Sequence, residues 1–559
     1  MTSHPARWTT RAALGAVAVA WVVIAFVVLS PEMPSYGDWG VKFIEAHALI
    51  QSGFRSLVMP FPAIVIDGRY EFFPFMPPFV VPTPSGIQGI FPPFPAILRA
   101  LIIWAWGPAG VAALSVLGGL ATLWLSLRIV PLRAGWLLPL ALGCGTCLWF
   151  YSTVPWEHTP AIALTMAAFY VAYRGEVRRA WTVGLLLGVG ATLRPESLLL
   201  TPGLLLVLFV RWRRLGPLAS ALVPAGIVIA ANAALDPWYG RPVAAHAAHA
   251  VGFLRQIIES AGGSSVSDIR ALDPMTFGDR YNTVVHYWLI GDVSGVAVGL
   301  SVAALVASAY LFFRRQSVAG VLCVSVVACA WAVYDAVSVM LQPRWLTGLV
   351  TLSPFLLFAA LPAPGASDDD RRWRRLALAA SAMFACGALL TSDASSGKSF
   401  GPRFLLPIVP LLAIAAWQGI MAFWDTRRER PAHGVIAWCG FATVAASIVI
   451  SLICALPSYA RRNQAAADAY EAIRRSPDRM IVAGDPAVAQ LLAPVYFKKF
   501  MLLANNKTEC RDIGRLVSRA GLPTLLLVLR GEHPDYVPET YRLISTETYG
   551  GLRVERWSR

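Results

Sequence analysis

Charged residues are scarce in this 559-residue chain: Asp, Glu, Lys and Arg make up 14% of it, against 57% hydrophobic residues. The mean hydropathy is +0.58. Soluble domains carry about 25% charged residues, so this composition excludes a wholly water-soluble protein. We expect an α-helical multi-pass membrane protein that is solvated mostly by lipid.

Acidic residues are the scarcer of the charged residues. The chain has 32 of them against 47 Lys and Arg, which gives a formal net charge of +15. Such an excess can indicate a nucleic-acid partner, but here the arginines are spread over short loops between apolar runs. Loops of this kind orient helices in a bilayer, so no nucleic-acid partner is expected.

The chain also lacks the cysteines for an exported disulfide, because seven of the eight lie in apolar runs and Cys510 stands alone in the polar tail. Cys144 and Cys147 form a Cys-x-x-Cys sequence without a neighbouring histidine cluster. We interpret them as packing residues. No metal site and no cofactor are predicted.

Long apolar runs are abundant instead. The first, from Ala12 to Leu29, has no charge over roughly 18 residues, enough for one membrane crossing. It lacks a small-residue cleavage site and is interpreted as a retained signal anchor. About thirteen crossings are predicted in all, at residues 12 to 30, 107 to 127, 134 to 150, 160 to 173, 180 to 193, 196 to 210, 215 to 235, 293 to 313, 317 to 340, 345 to 361, 376 to 391, 403 to 424 and 433 to 456.

Arginines mark alternate connections between these spans. Those connections hold 19 arginines, which predicts that they face the cytoplasm of a cell membrane, most simply a bacterial inner membrane. The long connections 31 to 106 and 236 to 292 and the tail 457 to 559 then lie on the exterior side. Chemistry is expected on that side.

The run from Ala180 to Val210 is too long for one crossing and has arginine clusters at both ends. Two short crossings broken at Pro195 satisfy both constraints. Each arm is only about 14 residues, near 21 Å. The sequence Leu193-Arg194-Pro195-Glu196 is therefore predicted to lie in a protein-lined cavity below the outer surface, where charged groups need a functional reason.

Asp38 lies on the exterior side of the first span. It opens a helical pattern from Trp39 to Ser52, with Gly53 as C-cap. Spacings of four and three place Asp38, Lys42 and Glu45 along one face of that helix. An exposed ion-paired face is one interpretation of this pattern, and a catalytic carboxylate is the other.

Two further segments carry predictions. In Trp156-Glu157-His158-Thr159-Pro160, Thr159 can cap and Pro160 can open the following helix, which leaves Glu157 and His158 facing the exterior cavity. The tail alternates apolar runs at 480 to 483, 524 to 529 and 552 to 557 with a helical pattern at 465 to 475. We predict a membrane domain at 1 to 456 and a small exterior α/β domain at 457 to 559.

These pieces together resemble the GT-C superfamily of integral-membrane glycosyltransferases, which includes the protein O-mannosyltransferases and the aminoarabinose transferases. Asp38, directly after the first helix, corresponds to the acidic residue of the superfamily's first exterior loop. The similar segments are Gly37 through Phe43, Leu193 through Glu196, Asn232 through Gly240, Gly348 through Pro354, and Gly401-Pro402-Arg403-Phe404-Leu405-Leu406-Pro407. Trp39 stands where many relatives have a second acidic residue, which argues against a metal-assisted mechanism here.

The resemblance implies an inverting hexosyl- or pentosyltransferase that takes its sugar from a polyprenyl-phosphate carrier, with Asp38 as the base for an acceptor hydroxyl. The residue chemistry agrees, because a phosphate leaves as a stable anion and needs surrounding positive charge rather than a second carboxyl. The acceptor is left open among protein, lipid and polysaccharide. The predicted donor and substrate contacts are Lys42, Glu45, Glu157, His158, Arg194, Glu196, Arg241, Arg344, Lys398 and Arg403.

Two other classes of protein stay open. A polyprenyl-lipid flippase or transporter would also be a basic helical bundle, but the chain lacks the internal repeats typical of transporters. An oligosaccharide ligase with a polyprenyl diphosphate donor would place its main chemistry in a late exterior loop rather than at Asp38.

Cysteines introduced at Ser264 and Ser476 should both react with an impermeant thiol reagent applied to intact cells, because both positions fall in segments predicted to be exterior. The unmodified chain provides the background. Labelling at only one of the two positions would contradict the thirteen-span arrangement.

Overall fold

The computed structural model describes residues 4–33, 38–76, 79–129, 135–241, 348–391, 401–531 and 536–559, with isolated positions between 320 and 334. The chain divides into two compact units. The helical unit comprises Met1–Val23, Ala113–Ala231 and Ala247–Ser458, and the loop and tail unit comprises Ile24–Ala112, Asn232–His246 and Tyr459–Arg559. The predicted domain boundary after residue 456 stays a prediction.

Helices dominate the chain before the C-terminal domain. They are α1 (His4–Val23, extended by a π-helical turn, Ile24–Val28), α2 (Trp39–Gln51), α3 (Pro93–Ile129), α4 (Leu137–Cys144), α5 (Leu148–Thr153), α6 (His158–Arg174), α7 (Ala180–Leu193), α8 (Thr201–Trp212), α9 (Gly216–Trp238), α10 (Leu349–Leu352), α11 (Asp368–Thr391), α12 (Val409–Asp425), α13 (Pro431–Val449, extended by a π-helical turn, Ile450–Ala455) and α14 (Leu456–Arg475). A short hairpin, β1 (Val80–Thr83) with β2 (Gly86–Gly89), lies between α2 and α3.

Among the described residues, seven helical stretches are long and apolar enough to cross a membrane. They are Trp8–Val28, Pro93–Ile129, Pro195–Trp212, Gly216–Trp238, Asp368–Leu390, Arg403–Asp425 and Pro431–Arg475. The predicted fold class, a polytopic helical membrane protein, is confirmed. The number of thirteen crossings stays a prediction, and the predicted span 293 to 313 lies outside the described residues.

The long helix α3 is kinked where its predicted membrane span begins. Gly107 has φ 69°, in the left-handed region, and Pro108 follows it inside the helix. Proline removes a helical hydrogen bond and glycine tolerates the positive φ, so the two residues together break the helix direction. Trp104 and Trp106, just before the kink, are 70% and 73% exposed, which is typical of side chains at a membrane surface.

The predicted break between two short crossings is present. Helix α7 ends at Leu193, and Arg194 has extended backbone angles, φ −143° and ψ 105°. A 3-10 helix, Pro195–Leu200, then leads into α8. The residue before a proline avoids helical backbone angles, so Pro195 sets this break and presents Arg194 between the two arms.

A five-stranded mixed sheet forms the C-terminal α/β domain, as predicted. Its strands are β3 (Met480–Ala483), β4 (Phe500–Leu503), β5 (Thr524–Arg530), β6 (Arg542–Tyr549) and β7 (Leu552–Ser558), in the order β4-β3-β5-β7-β6. Helices α15 (Pro486–Leu491) and α16 (Lys507–Arg519) connect the three parallel strands β3, β4 and β5. The sequence analysis located β3, β5 and β7 to within one residue and missed β4 and β6.

The two edge strands of this sheet, β4 and β6, differ in how far they are covered. The backbone N–H of Leu503 in β4 donates to the carbonyl of Phe72 at 2.9 Å, so the first loop covers that edge. Strand β6 is exposed and joins β7 through Gly550 and Gly551, whose φ angles of 52° and 93° suit a tight hairpin turn. The covered edge ties the loop after the first helix to the C-terminal domain.

Candidate active site

The first turn of α2 carries the predicted catalytic carboxylate. Asp38 is 4% exposed, and Lys42 and Glu45, one and two turns further on, are both fully buried. The interpretation of these residues as an exposed ion-paired face is therefore wrong. Their spacing of four and three does place them on one helix face, and that face packs against the rest of the loop and tail unit rather than against water.

Asp38 and Lys42 form a buried ion pair, with 3.0 Å between Oδ2 and Nζ. The Lys42 ammonium also lies 4.6 Å from the centre of the Phe91 ring, a cation–π contact. Arg99, on the first turns of α3, donates to the Lys42 carbonyl at 3.3 Å and is 3% exposed. The carboxylate of Asp38 is thus held in one direction by a lysine that is itself fixed.

Glu45 and Arg241 form a second buried ion pair beside the first, with 2.9 Å between Oε1 and Nη2. The same guanidinium donates from Nε to the Gln88 side chain at 2.7 Å and from Nη1 to the Phe91 carbonyl at 2.5 Å. A Cβ added at Gly89 would overlap the Glu45 carboxylate, so the β1–β2 hairpin lies directly on α2. Arg241 therefore joins α2, the hairpin and the end of α9.

We call these residues the loop cluster: Asp38, Lys42, Glu45, Gln88, Arg99 and Arg241. Gln88 and Arg99 were missed by the sequence analysis. Arg99 could have been noticed as a cation in an otherwise apolar run near 93 to 106, whereas nothing in the sequence distinguishes Gln88. Gln88 also donates to the Tyr239 carbonyl at 2.9 Å. One buried amide therefore binds both the Arg241 side chain and the backbone two residues before it.

The helical unit has its own charged group, the hairpin cluster of Glu157, Arg194 and Glu196. The Arg194 guanidinium lies 3.4 Å from Glu157 and 2.7 Å from Glu196, and all three side chains are about one-tenth exposed. The predicted charge at the break after α7 is therefore a compact ion-paired group. Contact of Arg194, Glu157 or Glu196 with a substrate stays a prediction.

His158 begins α6 and is 2% exposed. Its ring centre lies 4.9 Å from that of Tyr151 and 5.1 Å from that of Trp156, inside an aromatic group. Thr159 does not cap this helix as predicted, because its hydroxyl donates to the Ser115 carbonyl at 2.7 Å and the helix starts one residue earlier. The aromatic packing fixes the imidazole beside Glu157.

Gly401-Pro402-Arg403 belongs to the segment that resembles the GT-C superfamily. It opens a 3-10 helix, Arg403–Ile408, that leads into α12. The Arg403 guanidinium lies 4.8 Å from the centre of the Phe404 ring. This 3-10 helix contacts both the Pro195–Leu200 helix and α6, so Arg403 belongs to the neighbourhood of the hairpin cluster. The predicted contacts Arg344 and Lys398 lie outside the described residues.

Metal ligands are not gathered in the part of the chain that the structure describes. No group of three or more His, Cys, Asp or Glu side chains there could hold a metal ion. Cys144 and Cys147 are both buried among the helices, with free thiols. His47, on α2, packs against Phe43 with 4.3 Å between ring centres and the rings tilted by 52°, and burial lowers the pKa of His47 below its usual value.

No protein-family model matches the chain, and no curated protein matches it by sequence. Among solved structures, it is similar to ArnT from Cupriavidus metallidurans bound to undecaprenyl phosphate, with 12% identity, coverage of 96% of this chain and 97% of that one, and a TM-score of 0.46. It is also similar to the archaeal oligosaccharyltransferase AglB from Archaeoglobus fulgidus in complex with an inhibitory peptide and a dolichol-phosphate, with 11% identity, coverage of 94% and 70%, and a TM-score of 0.39. At this identity and these TM-scores, the likenesses support no functional conclusion by themselves.

Replacing Arg241 with Met should destabilise the protein by about 3–5 kcal/mol, because it removes the opposite charge that pairs with the buried Glu45 carboxylate. The thermal unfolding midpoint of the purified full-length protein in one detergent measures the effect. Arg515→Met is the matched control, since Arg515 pairs with Glu539 at 2.5 Å but is 51% exposed. Exposed pairs contribute little, so equal shifts of the midpoint in the two variants would contradict the role given to Arg241.

Proposed function

We propose that the protein is an inverting glycosyltransferase that moves a sugar from a polyprenyl-phosphate carrier to an acceptor hydroxyl on the exterior face of the membrane. The observation that carries this proposal is the buried Asp38–Lys42 pair at the start of α2, which follows the first membrane helix after a short connection. A carboxylate and an ammonium are thereby fixed next to each other, 3.0 Å apart.

Asp38 accepts the proton of the acceptor hydroxyl in this mechanism. The acceptor oxygen forms a bond to the anomeric carbon from the face opposite the phosphate, the bond between that carbon and the phosphate oxygen breaks, and the configuration inverts. The phosphate leaves as an anion and needs no proton. General-base assistance of this kind contributes roughly 10²- to 10⁴-fold in rate.

Cationic side chains stabilise the leaving phosphate. In the loop cluster, Lys42 is the cation directly beside the base, with 3.0 Å between its Nζ and Oδ2 of Asp38. The Nε, Nη1 and Nη2 atoms of Arg241 each donate to a protein acceptor already. In this proposal Arg241 and Glu45 therefore support the Asp38–Lys42 pair. Arg194, Arg344, Lys398 and Arg403 stay the phosphate contacts predicted from the sequence.

A lipid-linked donor suits this position better than a nucleotide sugar. A nucleotide sugar is made in the cytoplasm and has no route to the exterior side. A polyprenyl-phosphate sugar enters from the bilayer with its phosphate at headgroup depth, where contacts from guanidinium groups need little extra desolvation.

Asp38→Asn should abolish transfer while leaving expression and donor binding near normal, because the change keeps the size of the side chain and removes its basicity. Turnover of purified enzyme with a polyprenyl-phosphate sugar measures this. Asp67→Asn is the control: Asp67 is equally buried in the same loop, and its carboxylate accepts the backbone N–H groups of Glu71 and Phe72. Retention of more than about a tenth of wild-type turnover in Asp38→Asn would exclude Asp38 as the base.

Arg403→Lys should lower turnover clearly, since lysine keeps the charge but loses the planar pair of donors that grips a phosphate. Arg461→Lys, at an exposed position on α14, serves as the control. Unchanged activity of Arg403→Lys would remove this residue from the donor site. Transfer from a nucleotide sugar in a preparation without polyprenyl lipid would overturn the proposed donor class altogether.

A further inference from the structure

Helix α2 carries the proposed base at its N-terminus, but Asp38 does not cap the helix. Its backbone is helical, with φ −73° and ψ 0°, and its side chain makes no capping hydrogen bond. The carboxylate pairs with Lys42 instead. The first N–H groups of a helix have no partner within the helix and need acceptors from elsewhere.

The acceptor comes from the C-terminal domain. The side-chain carbonyl Oε1 of Gln490, on α15, accepts the backbone N–H of Val41 at 2.9 Å. Gln490 is 5% exposed. Val41 is the third residue of α2, the position whose N–H an N-cap side chain of the helix itself would normally bind. Gln490 thus takes over the capping role that an aspartate at position 38 would otherwise fill.

Gly40 permits this contact. A Cβ at Gly40 would overlap the backbone carbonyl of Gln490, so only glycine allows α15 to approach the first turn of α2 this closely. The close approach and the capping bond involve the same residue of α15. Helices α2 and α15 both belong to the loop and tail unit.

Other contacts join the N-terminal part of the loop and tail unit to its C-terminal part. Tyr496 donates to the Pro60 carbonyl at 2.6 Å, and Asn463 accepts the N–H of Ser30 at 2.8 Å. The rings of His47 and Phe497 lie 5.7 Å apart. The C-terminal domain is therefore part of the support of α2 and not a separate appendage to it.

We propose that Gln490 is a positioning residue for the proposed transfer reaction, which makes the C-terminal domain part of the catalytic machinery. This rests on the proposed function of Asp38. Gln490 satisfies the helix N-terminus, so the Asp38 carboxylate pairs with Lys42 and does not turn to the helix N–H groups. Without Gln490, the Val41 N–H would lose this acceptor, and Asp38 at the N-cap position is of a residue type preferred for capping it.

Gln490→Leu tests the proposal in the full-length enzyme. Misplacement of a catalytic group by about 1 Å can reduce a rate on the order of 100-fold, so kcat should fall between about 10- and 100-fold. The KM for the lipid donor should stay within about twofold, because the variant turns the base and leaves the phosphate contacts in place. Gln490→Glu keeps an acceptor oxygen at the same reach and should restore most of the activity.

Gln464→Leu is the matched control, because Gln464 is exposed on α14 and its side chain donates to Asp468 within the same helix. Its kcat should equal that of the wild type. A kcat of Gln490→Leu equal to wild type, after correction for folded protein, would overturn the proposal. So would a Gln490→Glu variant as impaired as Gln490→Leu.

Hydrogen–deuterium exchange separates this proposal from the proposed function. In Gln490→Leu, amides of a peptide covering residues 39–44 should exchange faster than in the wild type, whereas Gln464→Leu should leave them unchanged. A wild-type enzyme without transfer activity would refute the glycosyltransferase assignment, and the exchange measurement would still decide the capping role. Unchanged exchange at residues 39–44 would overturn that role whatever the activity.

Discussion

Charged groups that leave water must be matched by partners of opposite charge, and the arrangement of the loop and tail unit depends on this constraint. The Glu45 and Arg241 side chains are 0% and 1% exposed, and each contributes to the burial of the other. Because Arg241 also binds Gln88 and the Phe91 carbonyl, a single guanidinium fixes three stretches of chain. The Asp38–Lys42 pair lies on the helix that this guanidinium holds.

The helical unit follows the same rule with a different acceptor. Arg374, 5% exposed, donates to the carbonyls of Ala359 at 3.0 Å and Phe358 at 3.4 Å, at the end of the 3-10 helix Pro354–Ala360. Carbonyls at a helix end lack partners within the helix, and a buried cation there satisfies them. Burial of the Arg374 guanidinium thus fixes the end of this 3-10 helix, as burial of the Arg241 guanidinium fixes α2.

The sequence predicted the features that depend on local chemistry. Gly53 and Pro195 ended α2 and α7 where expected, and the apolar runs of β3, β5 and β7 matched their strands. Long-range contacts were not predictable. Nothing in the residues around Gln88 or Gln490 indicates that these amides bind Arg241 and Val41, because both partners are distant in the chain. Strand β6, exposed and rich in polar residues, lacks the apolar pattern by which a strand is recognised.

The contact between Val41 and Gln490 spans 449 residues, and that between Ser30 and Asn463 spans 433. A ribosome adding 5–20 residues each second needs roughly 20 to 90 seconds to cover such a distance. During that interval the nascent chain already contains Asp38, the proposed base, but lacks the Gln490 amide that binds the first turn of α2. Under the proposed mechanism, activity would therefore begin only after residue 490 has been made, and a chain truncated before its last hundred residues would hold Asp38 without the amide that positions α2.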